Sequence, residues 1–538
     1  MGLVIAEPVP LSSSILWRLN DSYYQDRGVT AWSSGDVPYH STTSAVLGAT
    51  FASLVAAFAR DCAAGRCGPF DPAEPLYVVE LGCGSGRLAW HTLEHLRHLD
   101  TGSARVVYVL SDMVESNVAF CADHQRLRSA FAEGRADLAL YMAGSRQEIR
   151  LVHGSKSLAP GSLANPVIGI ASYLFCVIPQ DLHVNVGGSL ESEHVGVELA
   201  VPPDAARPVQ GTPEYLRAIR IRPTFPGRTD PHRGTAEDRD RDVAVLSSAA
   251  TRTVPGERVL YPAAALRSID RLTEIGGGRM LFLVAERAMV HPAARDAAPA
   301  GGLYSPAALL GMGVHGSSLS MPVDLRMVED AIALSGGTVL RPAAPPSRLE
   351  LAALLTGLPP GDPPPSFWRQ ARSSFDGARA DDVFATVALA AASAGATPAV
   401  TLADIVAILR VAELDPFVFG LLFEALAREM PPGAVTSIER AVESLVAVAA
   451  RDYPLNPNYD VVYGVAGLLT GVGRWSEALG CLARAAADFG PRAETSYNMA
   501  VCHLQLDAIG AAAAALNEAL ELDPQYEPAL RLRPQLPD

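Results

Sequence analysis

VVELGCGSGR, residues Val78 to Arg87, decides how the first third of this chain folds. Two β-branched residues lead into Glu80, after which Gly82, Gly84 and Gly86 alternate with Cys83 and Ser85. The run LYVVEL, which overlaps its start, is short, apolar and β-branched, as a buried strand is. RLAWHTLEHLRHL behind it carries helical spacing. At such a junction the chain must turn sharply, and a ligand can approach the backbone. Glycine permits both, because it tolerates positive φ and has no Cβ in the way. The N–H groups at the start of the helix favour a polar or anionic partner.

Spacing separates the candidate ligands. The pattern is G-x-G-x-G rather than the G-x-G-x-x-G of dinucleotide folds, and no Lys-Ser or Lys-Thr follows to cradle phosphate. Glu80, two residues ahead of the first glycine, would repel a pyrophosphate and suits a ligand with an amino group. A second strand, ARVVYVLSD, ends at Asp112, where a carboxylate can accept from both hydroxyls of a ribose; Met113 beside it can pack on a purine face. S-adenosylmethionine, with an amine, a sulfonium and a ribose, satisfies these demands together. A tight turn would explain the glycines alone, but not the two acids.

Outward from this core, helical and strand-like segments alternate through ESNVAFCADHQRLRSAF and NPVIGIASYLF. The alternation predicts an α/β Rossmann-like domain, a mostly parallel sheet with helices on both faces. Its expected extent is 1–345, with a helical N-terminal cover over 1–70 and a charged, proline-rich insertion over about 200–260 whose sequence suits a solvated surface. GGGRMLFLVAE returns as a strand. Dense proline marks 346–366 as a linker. Residues 367–538 read as an all-α domain that closes on two copies of a 34-residue period, 459–492 and 493–526, in which Ala466 matches Ala500, Ala478 matches Ala512 and Ala485 matches Ala519. That period resembles the tetratricopeptide repeat, where small residues let paired helices approach closely. Such a tail is expected to bind a protein or peptide.

The bulk numbers narrow the field. With 538 residues and 49% hydrophobic content the chain can build more than one core. A formal charge of −15 gives no general attraction to nucleic acid or an anionic membrane. Seven scattered cysteines without a C-x-x-C fit a reducing compartment. No run reads as a membrane span. The start, MGLVIAEPVP, lacks the basic segment of a signal peptide. The expectation is a cytoplasmic protein binding neither nucleic acid nor membrane.

Taken together, the glycine loop and the acids resemble class I S-adenosylmethionine-dependent methyltransferases. ILWRLNDSYYQDRGVTAWSSGDVPYHSTTSAVLG, NPVIGIASYLFCVIPQDLHV, GGGRMLFLVAE and HGSSLSMPVDL are similar to segments of the MidA-like group, including its bacterial members with a tetratricopeptide tail. The resemblance implies a methyl-transfer enzyme with S-adenosylmethionine held by Glu80, Gly82, Cys83, Gly84, Gly86, Asp112 and Met113, and covered by Thr43 and Ser44. Tyr173, Asp181 and His315 are the candidates for the catalytic side. Three departures stand against full activity. LYMAGS lacks the acid that many members place after the third strand, Ser172 and Cys176 replace an asparagine and an aspartate of the fourth-strand motif, and Asp324 replaces an asparagine. The competing reading is a catalytically degenerate adaptor that binds a partner through its tail. HTLEH, His91 to His95, fits a zinc-protease pattern, but its helix is needed for packing behind the glycine loop. Among other decoys, His315 has no nucleophile elbow to serve, and DRDRD reads as a solvated face. No metal is expected.

Overall fold

The computed structural model describes residues 3–37, 39–201, 206–225, 236–287, 305–342, 349–359, 364–376, 400–430, 438–455 and 460–535. The chain divides into two compact units, Met1–Thr43 with Leu47–Gly377, and Ser44–Val46 with Ala378–Asp538.

The first unit is built in chain order from β1 (Leu3–Pro10), α1 (Ile15–Arg27), α2 (Ala45–Ala63), β2 (Leu76–Leu81), α3 (Arg87–Leu96), β3 (Val106–Asp112), α4 (Glu115–Asp123), β4 (Ala136–Leu140), β5 (Val167–Ser172), β6 (Asp181–Val186), β7 (Ser189–Leu199), β8 (Ile219–Thr224), α5 (Ala236–Ala250), β9 (Arg258–Tyr261), α6 (Ala263–Ile275), β10 (Met280–Glu286), α7 (Leu325–Leu334), β11 (Thr338–Leu340), β12 (Glu350–Thr356) and α8 (Pro365–Asp376). Seven strands form one sheet in the order β11-β12-β10-β5-β2-β3-β4. β10, β5, β2, β3 and β4 run parallel, and β12 is antiparallel to both its neighbours. All six residues of β2 are buried, as are all seven of β10, which is why these strands read as unbroken apolar runs. Tyr77, Val79 and Leu81 share one core with α6 and α7. On α2, Gly48 lies so close to His91 that a Cβ there would fall 2.5 Å from the histidine's own Cβ. His91 is thus a packing residue of α3. Among the described residues no cluster is placed to hold a metal ion.

Three sequence expectations change. The N-terminal cover is not wholly helical, because β1 pairs with β7 in a second, five-stranded sheet of order β1-β7-β6-β9, with β8 also on β7. Two short strands of that sheet, β8 and β9, come from the 200–260 segment and its end: Ile219, Ile221 and Leu260 are fully buried, and Arg258 sits under Glu193 as a buried bidentate ion pair at 2.6 and 2.9 Å. Alternating arginines and apolar residues in IRIRPT are the period-two pattern of a strand with one face inward. The expected linker is not only a linker. Within its bounds, ELAALLT is β12, all seven residues buried between β10 and β11. The flanking prolines hid a short strand whose apolar run is the pattern of a sheet interior. Residues 346–348 and 360–363 of that linker and 377–399 of the expected helical domain lie outside the described residues, as do 456–459, which reach the first residue of the repeats, and most of the run before DRDRD. α8 also belongs to the first unit: its Phe367 N–H donates to Asp61 at 2.8 Å.

The reading that no run could span a bilayer also needs correction. α2 is long and apolar enough by length and composition, and 78% of it is buried within the protein, as a core helix is.

In the second unit, α9 (Leu402–Val411), α10 (Pro416–Glu429) and α11 (Glu439–Ala450) precede two helix pairs, α12 (Val461–Gly471) with α13 (Trp475–Phe489), and α14 (Ala493–Gln505) with α15 (Ile509–Leu522). Asp415 and Asp460 cap α10 and α12 by accepting from Phe417 and Tyr463 N–H groups, both at 2.8 Å. Ala466, Ala478, Ala485, Ala500, Ala512 and Ala519 are all at most 1% exposed. They occupy the close-packed seams of the pairs.

Candidate functional site

The chain runs outward from β2 through β3 to β4, then returns to place β5 on the other side of β2. Where strand order reverses, the connections leave in opposite directions and a crevice opens beyond the carboxyl ends of the strands. A cavity of about 260 Å³ lies there. Its wall takes Gly82–Ser85 from the end of β2, Asp112–Val114 from β3, Tyr141–Ser145 from β4 and Ser172–Leu174 from β5.

The glycines meet specific demands. Gly82, Gly84 and Gly86 all have positive φ, at 67°, 55° and 76°. A Cβ on Gly82 would fall 2.8 Å from Leu174 Cδ1, and one on Gly84 2.9 Å from the Trp32 ring. Gly86 is the N-cap of α3 and does not reach the cavity wall.

Glu80 and Asp112 both face the cavity and both are buried. Glu80 accepts from the Tyr108 hydroxyl at 3.0 Å. Burial pushes its carboxyl up to about 8, opposed by that hydrogen bond and aided by the neighbouring Asp112. Asp112 accepts from Gly84 N–H and Val114 N–H, each at 2.9 Å, and from Asn117 Nδ2 at 3.3 Å. Burial raises its carboxyl and these bonds pull it back. Asp112 thus ties the glycine loop to the end of β3 while lining the same space.

Of the other residues foreseen for the cofactor, Cys83, Met113 and Thr43 line the cavity. The hydrogen bond with Cys121 and then burial push the Cys83 thiol up. Thr43 accepts from Arg87 at 3.3 Å and donates to Tyr39 O at 2.8 Å. Ser44 is fully buried and does not line the cavity.

The three catalytic candidates are not brought together. Tyr173 lines the cavity, at a φ of 54° that is unusual for a non-glycine residue. Burial and Cys176 push its hydroxyl up to about 12. Asp181 opens instead into a second cavity of about 220 Å³, with His183, Asp242 and Tyr261, and accepts from Ser12 N–H at 3.1 Å. His315 reaches neither cavity. Burial and then Arg287 lower its basicity.

Cys176, where the resembled motif has an aspartate, is fully buried and off the cavity wall. It lies against Glu286, whose carboxylate accepts from the N–H groups of Leu174 and Phe175 at 2.7 Å and of Cys176 at 3.3 Å. A second carboxylate at 176 would confront Glu286, so the thiol fits this chain. The departure therefore removes no carboxylate from the cavity.

Sequence reasoning missed Asp21, Tyr24, Trp32, Asn117, Ser145 and Arg267, all on the wall. Asp21 is raised by burial. Tyr24 and Trp32 stack with centroids 5.8 Å apart. Asn117 is 1% exposed, and its Oδ1 has no partner among the described residues; the same holds for the Ser145 hydroxyl oxygen. An acid-to-polar spacing, Asp112 to Asn117, was the available signal for one of these.

No protein-family model and no curated protein matches the chain. Among solved structures, an uncharacterized protein from Burkholderia thailandensis aligns at 14% identity, over 62% of this chain and 73% of its own, with a TM-score of 0.33. A second protein from the same organism and superfamily, a candidate methyl transferase bound to S-adenosyl-homocysteine, aligns at 13% identity over 62% and 74%, with a TM-score of 0.37. The functional reading therefore rests on the geometry of this chain.

Proposed function

We propose that the first unit binds S-adenosylmethionine in this crevice and directs methyl transfer to an acceptor, and that the helical unit recruits a protein or peptide. One observation carries the first part: two buried carboxylates, Glu80 and Asp112, face one cavity at the point where strand order reverses, beside three glycines at positive φ. The residues fit the cofactor. Glu80 suits its amino end, Asp112 and the orphan Asn117 Oδ1 suit the ribose hydroxyls, and Met113 suits a purine face. When bound, S-adenosylmethionine supplies a methyl group already activated on sulfur, so the protein has mainly to align an acceptor. Tyr173, Tyr24, Trp32 and Asp21 wall the cavity outside the glycine loop and strand-end acids, where an acceptor can be oriented and water excluded. Asp21, whose carboxyl is raised, is suited to take a proton from that acceptor.

The adaptor reading draws support from Trp32, which lies against the glycine loop and leaves a cavity slightly below the common ligand range of about 300–1,000 Å³. The six buried alanines repeating at 34 residues support a tetratricopeptide-like tail. Calorimetric titration of the full chain with S-adenosylmethionine tests the site, and absence of binding sinks it. Transfer of labelled methyl to cell extract separates enzyme from adaptor.

Two expected results follow from the wall. Trp17, Trp90, Trp368 and Trp475 lie off it, so cofactor binding should change tryptophan emission, and Trp32→Phe should remove that change. Glu80, neutral below about 8 before binding, must ionise to meet a cation. Affinity should rise with pH, by at most about tenfold per unit, and level off above about 8. Titrations at pH 7 in buffers of different ionisation enthalpy should report proton release, and Glu80→Gln should flatten the profile. The same raised carboxyl makes its contribution to folding stability fullest below the ordinary glutamate value and lost as pH climbs through about 8.

A further inference from the structure

Resting on the donor reading above, we infer that the base end of this cavity does not require a purine 6-amino group and accepts a 6-oxopurine donor about equally well. Strand order sets the direction. The glycine loop follows β2, the ribose acid ends β3, and β4 lies beyond β3, one strand spacing of about 5 Å further on. A sugar held at Asp112 therefore hands its base to the loop after β4. Tyr141 N–H donates to Asp112 O at 2.8 Å, so the two loops are joined directly.

That loop is rigidly placed. The Tyr141 hydroxyl donates to Ser145 O at 3.0 Å, Ser145 N–H donates to Met142 O at 3.1 Å, and Gly144 rests on the first turn of α6, where an added Cβ would meet Ala264 O at 3.1 Å. From α6, Arg267 reaches the same loop, its Nε 3.4 Å from Gly144 O, and lines the cavity. The Tyr141 hydroxyl gives its proton to Ser145 O and keeps its oxygen as an acceptor, weaker than a carboxylate and able to turn its proton toward a ligand oxygen instead. The remaining polar side chains brought by this loop and α6 are the Ser145 hydroxyl, buried and without a partner among the described residues, and the Arg267 guanidinium.

An adenine 6-amino group needs an acceptor. A carboxylate there would enforce it, because losing the amino group would leave a buried acceptor unmatched. Here the hydroxyl can give or take, and the guanidinium only gives. A donor fork suits the O6 and N7 acceptors that a 6-oxopurine presents along one edge. Of the cavity's acids, Glu80 and Asp112 are placed at the loop and ribose, and Asp21 comes from α1. Asp21 is therefore the rival reader to exclude.

The test uses the purified full chain and two compounds, S-adenosylhomocysteine and its deaminated form, S-inosylhomocysteine, titrated by calorimetry. The expected result is dissociation constants within about threefold of each other. Arg267→Ala should weaken the inosyl compound about tenfold or more while moving the adenosyl compound much less. Ser145→Ala, a smaller change, should weaken both slightly, and melting temperatures would report any variant that fails to fold. A preference for the adenosyl compound above about fiftyfold in the unmodified protein would overturn the inference while leaving the donor reading intact. If that preference vanished in Asp21→Asn, the amino group would belong to Asp21. Binding of neither compound would overturn the donor reading itself, and this inference with it.

Discussion

Asp112→Asn is expected to weaken S-adenosylmethionine binding ten- to about a hundredfold, the loss of charged hydrogen bonds of about 1.5–3 kcal/mol. The carboxylate does two things at once. It lines the cavity, and it accepts from Gly84 and Val114 N–H groups on its two oxygens. An amide can keep only one acceptor. If its oxygen stays with Val114, its NH₂ points at the Gly84 N–H, and two donors face each other in a buried space. The glycine loop must then shift. Titration calorimetry reads the affinity, and a melting curve reads the accompanying loss of stability. An affinity unchanged within about twofold would remove Asp112 from the ribose role.

Glu286→Ala is expected to lower unfolding free energy by about 3–5 kcal/mol, because each buried donor left without an acceptor costs about 1–3 kcal/mol. Its side chain is fully buried and collects three successive N–H groups from Leu174 to Cys176. Those bonds hold the turn in which Tyr173 adopts positive φ. Without them the turn keeps only the Tyr173 N–H bond to Ala285 O and the Val177 N–H bond to Leu174 O, so Tyr173 is held less firmly at the cavity wall and affinity should fall along with stability. Glu286→Gln retains one acceptor oxygen and should recover part of both. Urea denaturation checks the size; a loss below about 1 kcal/mol would mean that the turn is held by other contacts. Burial raises the Glu286 carboxyl to about 7, so its contribution to stability is greatest in acid and declines as pH rises through neutrality.

What could be read from the residues was local. LYVVELGCGSGR carries strand, turn and helix start within a dozen positions, and Asp112 ends a run whose apolar pattern marks it as a strand. Those signals need no knowledge of distant partners. Trp32 and Tyr24 escaped because nothing near them in sequence says that they meet Gly84 and Ser318, the latter through a 2.9 Å hydroxyl contact. Glu286 looked like the polar end of a buried strand, and only the fold brings it to residues 174–176. The second sheet escaped for the same reason, since β1 pairs with residues 194–199, far along the chain. Asp181 and His315 were candidates through the segments that carry the resemblance, and a matched segment does not fix where a side chain points. ELAALLT was masked by its flanking prolines, which punctuate the chain without saying what lies between them.

β12 carries a lesson about synthesis. During translation β10 emerges long before the segment that will sit beside it, and until then its outer backbone groups stay bare. A nascent chain in that state offers a sticky ribbon to its neighbours. A fragment cut at the prolines near 345 would preserve that vulnerability permanently and precipitate. One carried through Gly377 gives the ribbon its mate.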